Sequence, residues 1–132
     1  MESRLNTAVT QGIRVNVRTT YIKDESAPGR NFYVFAYQVE IINESPYSVK
    51  LLTREWNIVD GIGQKRVVKG EGVIGQQPVI QPGEQHRYVS GSHFQTPIGR
   101  MSGHYVMARE VDGDLIQVEI PPFLMMVPCL SN

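Results

Sequence analysis

The run Gly70-Glu71-Gly72-Val73-Ile74-Gly75 satisfies G-x-G-x-x-G. In a dinucleotide fold such glycines allow a tight turn, close approach of pyrophosphate, and packing of a following helix. Here Pro78 and Pro82 lie just downstream, and a proline inside a helix costs about 3 kcal/mol. No phosphate-binding helix can begin at Gly75, so a Rossmann site is not expected. A helix-free version survives, in which exposed N–H groups of the loop form an anion nest. With Arg54, Arg87 or Arg100 nearby, such a loop would hold a phosphate or pyrophosphate weakly.

The other reactive residue types are poorly arranged for catalysis. His86, His93 and His104 have separations that match no compact zinc motif, and Cys129 is the only thiol that could join them. They are expected as surface or partly buried side chains. Ser90-Gly91-Ser92 stands between His86 and His93 but forms no G-x-S-x-G elbow, and turn serines are far commoner than catalytic ones. Cys129 follows Pro128 without a motif that marks an activated thiolate, and reads as a small terminal hydrophobe. The expectation is a protein with no enzymatic activity, no cofactor and no metal.

The elements that would carry these residues are strands. From Tyr33 to Ile41 every odd position is apolar or aromatic, with Gln38 and Glu40 between them, the period-2 pattern of a strand with one buried face. Ile13, Val15 and Val17 alternate with Arg14, Asn16 and Arg18 in a shorter strand, and Asp24 to Arg30 makes the turn between the two. After a turn at Asn43 to Tyr47, Leu52, Trp56 and Ile58 share one face and Thr53, Glu55 and Asn57 the other, which makes Trp56 a core anchor. Gly61 to Gln64 then leads by a hairpin into Lys65 to Lys69.

Arg87 to Ser90, His104 to Glu110 and Leu115 to Pro121 complete the strand candidates, the last two joined by a hairpin turn at Val111 to Asp114. Between Gly70 and Tyr105, seven glycines and three prolines predict turns and irregular loops, including a loop from Ser90 to Met101. The ending Phe123 to Leu130 is apolar almost without alternation. It fits either a strand buried on both faces or an edge strand that meets another chain, including a second copy in a homodimer.

No window combines helical apolar spacing with capping signals, so the chain is read as all-β. Many short strands in this length favour a two-sheet β-sandwich, with a small barrel as the alternative. The 132 residues form one expected domain, 1–132. Lysine plus arginine and aspartate plus glutamate balance at 13 each, which removes the global attraction that non-specific nucleic-acid binding relies on. One cysteine excludes an intrachain disulfide, and a reducing cytoplasm fits best. No stretch approaches the roughly 18 apolar residues of a membrane span, and export is not expected.

Tyr33-Val34-Phe35-Ala36-Tyr37, Arg54 with Trp56, Gly70 to Gly75, Gln77-Pro78, Pro82-Gly83-Glu84, Ser90-Gly91, Thr96-Pro97, Gly99, Met101, and Gly103 with Tyr105 occur in an order and spacing that resembles the bacterial ApaG family. The resemblance runs from about Ile13 to Pro128. It implies a sandwich of the fibronectin type III or immunoglobulin-like kind and brings no catalytic residues. The family is named for gene neighbours that include a dinucleoside tetraphosphate hydrolase, and an association with cobalt and magnesium sensitivity has been attached to it. Similar eukaryotic domains within an F-box protein and a DNA polymerase delta-interacting protein imply a protein-interaction module. This chain departs from the pattern at Glu55, where a ring residue is more usual, and at Leu124, where a basic one is common.

The expected function is therefore a cytoplasmic, non-enzymatic binding module for a protein partner. Its candidate contact surface is Arg54, Gly70, Gly72, Gly75, Ser90, Gly91, Arg100 and Met101. The alternative is a sensor or carrier for a phosphate-containing metabolite, such as a nucleotide or pyrophosphate, or for a divalent metal.

Overall fold

The computed structural model describes residues 5–128. Nine strands follow in order: β1 (Leu5–Thr10), β2 (Ile13–Tyr21), β3 (Tyr33–Asn43), β4 (Val49–Asp60), β5 (Lys65–Glu71), β6 (Val79–Ile80), β7 (Gln85–Phe94), β8 (Ile98–Arg109) and β9 (Leu115–Met126). They make two antiparallel sheets, β1-β2-β3-β7 and β5-β4-β8-β9, with the short β6 also paired to β4. The fold is a sandwich and not a barrel. Among the described residues no helix is long and apolar enough to cross a membrane.

The core follows from alternation. Ile13, Val15, Val17, Phe35, Tyr37, Val39 and Ile41 point inward from β2 and β3, as their period predicts. They meet Trp56, Tyr105, Met107, Val118 and Phe123 from the other sheet. Tyr37, Trp56 and Phe123 form an aromatic group with centroids 5.4 to 6.0 Å apart, a geometry worth about 1 kcal/mol per pair beyond burial. The one buried polar side chain among the described residues, Asn43, donates to the carbonyls of Tyr47 and Ile80 and accepts from Ser45 N–H and Oγ.

Two bulges break the strict alternation, and each corrects a sequence expectation. Between Leu51 and Thr53 the strand β4 gains a residue relative to β8. Val49 and Leu51 are therefore buried before the bulge, and Trp56 and Ile58 after it. Leu52 is the extra residue and does not share the face of Trp56 that strict alternation would give it. On β9 the dipeptide Pro121-Pro122 plays the same part, with Gly103 opposite Ile120 and Met101 opposite Phe123. The apolar ending is consequently neither buried on both faces nor continuous: Phe123 and Met125 are buried while Leu124 is exposed on an edge strand. Cys129 and Leu130 lie outside the described residues.

The expected loop from Ser90 to Met101 is also corrected. Ser90 through Phe94 belong to β7 and Ile98 through Met101 to β8, leaving only a tight connection. Glycine here serves close approach within strands: a Cβ on Gly103 would stand 2.0 Å from the Glu55 carbonyl oxygen of β4.

The sandwich has unlike sides. Along one, β1 and β2 pack against β9, and Glu119 N–H donates to Thr10 Oγ1 at 3.1 Å. Along the other, the edge strands β5 and β7 leave a groove between the sheets.

Candidate functional site

The bulge at Leu52 switches the inward-facing parity of β4 from Val49 and Leu51 to the even-numbered residues, so Arg54, two before Trp56, projects between the sheets. Its cross-strand neighbours are Tyr105 on β8 and Gly70 on β5. A Cβ at Gly70 would stand 2.8 Å from Arg54 Nη1, so a larger residue there would push the guanidinium aside; glycine lets it lie across β5. Nη1 then donates to the Glu71 and Gly72 carbonyls at 3.0 and 2.9 Å. Nε and Nη2 of Arg54 have no partner among the described residues.

Deeper in, the Tyr105 and Tyr88 hydroxyls share a hydrogen bond that links the two sheets. Burial pushes the pKa of both hydroxyls up, so the pair stays neutral. Around this point the groove encloses about 470 Å³, with Trp56 and Met101 at its floor, Val68 and Ile74 on the β5 side, and Ser90 and Ser92 on β7. A second compartment of about 450 Å³ continues past Arg66 to Phe32, Lys65 and Arg30. Arg66 divides the two. Its Nη2 donates to Ser92 Oγ at 3.2 Å and the His93 carbonyl at 3.1 Å, and its guanidinium lies 5.9 Å from the Phe94 ring centroid.

The groove is electropositive within a neutral chain. Arg30, Arg54, Lys65 and Arg66 line it against two carboxylates, Asp60 and Glu71. Asp60 is occupied in its own turn, accepting from Ile62 and Gln64 N–H. None of the four cations is ion-paired among the described residues; Arg14, Lys69, Arg87 and Arg109 are the ones that find carboxylates.

The structure sorts the sequence candidates. Arg54, Gly75, Ser90, Gly91 and Met101 line the larger compartment, while Gly70 and Gly72 hold Arg54 in place. Arg100 does not join them: it alternates with inward Met101 and is exposed on the outer face of β8. Arg87 is on the outer face of β7, paired with Glu40 at 2.6 Å. The three histidines stay apart, with His93 exposed on β7, His86 half-buried there, and His104 opposite Glu55 and Glu119. Among the described residues no group of three potential ligands could hold a metal ion.

The G-x-G-x-x-G segment is a hairpin tip. Val73 and Gln76 exchange N–H···O bonds of 2.8 and 3.0 Å around Ile74 and Gly75, whose φ values are 48° and 72°. Two successive positive φ values are those of a type I′ turn. Gly72 N–H is bound to the Leu52 carbonyl, so the uncommitted donors of this tip are the N–H groups of Ile74 and Gly75. A β-branched residue in the left-handed region is strained, yet Ile74 occupies it with 60% of its surface exposed.

Sequence reasoning missed Arg66 and Tyr88 as site residues. The signal for Arg66 was the run Lys65-Arg66-Val67-Val68-Lys69, basic and apolar together, which suits an exposed edge. Tyr88 carried no local signal, because its partner Tyr105 comes from the other sheet.

The ApaG domain profile matches residues 23–109. The ApaG protein of Methylorubrum populi is 45% identical over 125 residues, covering 95% of each chain. That of Proteus mirabilis is 41% identical over 120 residues, covering 91% of this chain and 95% of its own. Among solved structures, the ApaA protein of Bordetella pertussis superimposes with a TM-score of 0.86 at 40% identity, covering 88% of this chain and 94% of that one.

Proposed function

The chain belongs to the ApaG domain family, and from that premise we propose that it is a non-enzymatic cytoplasmic module that binds a protein partner in the groove between β5 and β7. The observation that supports this reading is the groove's construction. It is open along two edge strands, apolar at its floor, and lined by cations without an ion-pair partner among the described residues. Its hydroxyls are placed for structure: Ser92 Oγ accepts from Arg66, and the tyrosine pair is neutral. Neither arrangement resembles a nucleophile with a base and an orienting group.

A photo-crosslinking residue at Val68 would test the proposal in a bacterial cell expressing the protein. One dominant protein adduct is expected from Val68 and none from the same residue at Leu124, on the far edge. Equal adducts from both positions would sink the groove as the contact.

The second reading, a sensor or carrier of a phosphate-containing metabolite, has one observation in its favour. Nε and Nη2 of Arg54 and the free N–H groups of Ile74 and Gly75 belong to the same hairpin wall. A nucleotide that co-purifies in stoichiometric amount would favour it. The divalent-metal form has no ligand cluster among the described residues behind it.

A further inference from the structure

We infer that the element seated in this groove is an extended, acidic segment of the partner protein, with one carboxylate held by Arg54 and a neighbouring aliphatic side chain lodged between Val68 and Met101. The inference rests on the proposed function and names what that site recognises.

Arg54 carries the chemistry. The residue is half-buried between the sheets, and among the described residues the partners of its guanidinium are two neutral carbonyls accepting from Nη1, with no carboxylate to balance its charge. Those bonds fix the group's orientation. They leave Nε and Nη2, two parallel N–H donors along one edge of the planar group, which is the fork that matches the two oxygens of a carboxylate. A bulge brings this arginine inside and a glycine is reserved so that it can lie flat. With four groove cations against two carboxylates in a chain of zero net charge, an anionic segment is the complementary occupant.

Its extended form follows from the walls. Gly72 N–H bonds to the Leu52 carbonyl and Asp60 N–H to that of Gln64, so the even-numbered residues of β5 direct their backbone toward β4. By alternation Lys65, Val67 and Lys69 direct theirs away from the sheet. A free edge beside a groove accepts a strand by main-chain pairing, with side-chain pockets setting specificity. Val68 and the strained, exposed Ile74 supply the aliphatic contact next to the carboxylate site.

The test selects random nine-residue peptides on the full-length protein. The best peptide and its Glu→Gln or Asp→Asn analogue are then titrated by the fluorescence of Trp56, the sole tryptophan and part of the groove floor. The expected peptides share an acidic residue beside an aliphatic one, and the amide analogue binds about tenfold more weakly or worse. Arg54→Met should abolish that difference. Gly70→Ala, which displaces the guanidinium without removing it, should do the same, so the result does not hang on one variant's folding. Arg100→Gln should leave affinity unchanged. If acid and amide peptides bind alike but both need the groove, the carboxylate inference is overturned and the docking function stands. Should peptide binding ignore Arg54→Met and Gly70→Ala, or no peptide be enriched while inorganic pyrophosphate binds, both are overturned.

Discussion

The residues that matter most are those where polarity sits between the sheets. Tyr88 and Tyr105 have hydroxyls raised by burial above the ordinary 10.0, and the half-buried His86 is lowered from 6.5 by the same desolvation. The signs fix a stability profile. Above pH 10 the unfolded chain ionises its tyrosines while the folded chain keeps these two protonated, so stability falls as pH rises. Below pH 6.5 the unfolded chain binds a proton that folded His86 refuses, so stability falls as pH drops. Denaturant titrations should therefore give a plateau between about pH 7 and 10. Tyr88→Phe with Tyr105→Phe should flatten the alkaline limb, and His86→Gln the onset of the acid one. An unchanged alkaline limb in the double variant would refute the assignment. At this scale the sequence was informative about Trp56 and Arg54, because a strand's own alternation places them. Tyr88 was illegible, and Arg66 legible only as part of a basic edge, because their partners sit on another sheet, a relation that no local period encodes.

Strands were legible where one face is cleanly buried, as in β2 and β3, and misjudged where an extra residue resets the face. Leu52 and Pro121-Pro122 are such residues, and their effect is invisible to a pattern that assumes strict alternation. Glycine density likewise pointed to loops where the chain forms β7 and β8, since glycine marks close approach within a sheet as readily as a turn. The hairpin tip after β5 is legible as a turn but not as a strained one. Its cost leads to a prediction: Ile74→Asn, a residue that tolerates positive φ, should raise unfolding stability by about 1 kcal/mol. The same change should weaken the groove's ligand by removing an apolar contact. A variant that is no more stable would show that Ile74 is not strained in solution, and one that is stabilised with full binding would remove it from the interface.

As a whole, the protein is two sheets joined unequally. β1 and β2 are packed against β9 along one side, and toward the other the polar ties include the buried Tyr88–Tyr105 pair and, at the rim, the exposed contacts of Arg66 with Ser92 and His93. Exposed contacts of this kind contribute little to global stability, about 1 kcal/mol or less, but they govern local opening. Arg66→Met should leave the unfolding midpoint nearly unchanged while hydrogen exchange quickens along β5 and the Ser90 to Phe94 half of β7. Equal quickening in β1 and β9 would mean the arginine supports the whole fold and not one margin of it. The packed side is to the two sheets what a spine is to a pair of covers. A small rotation there produces its largest displacement at the opposite rim. Arg66, reaching from β5 to Ser92 and His93 of β7, stands at that rim, where a single side chain has the longest lever on the spacing of the two sheets.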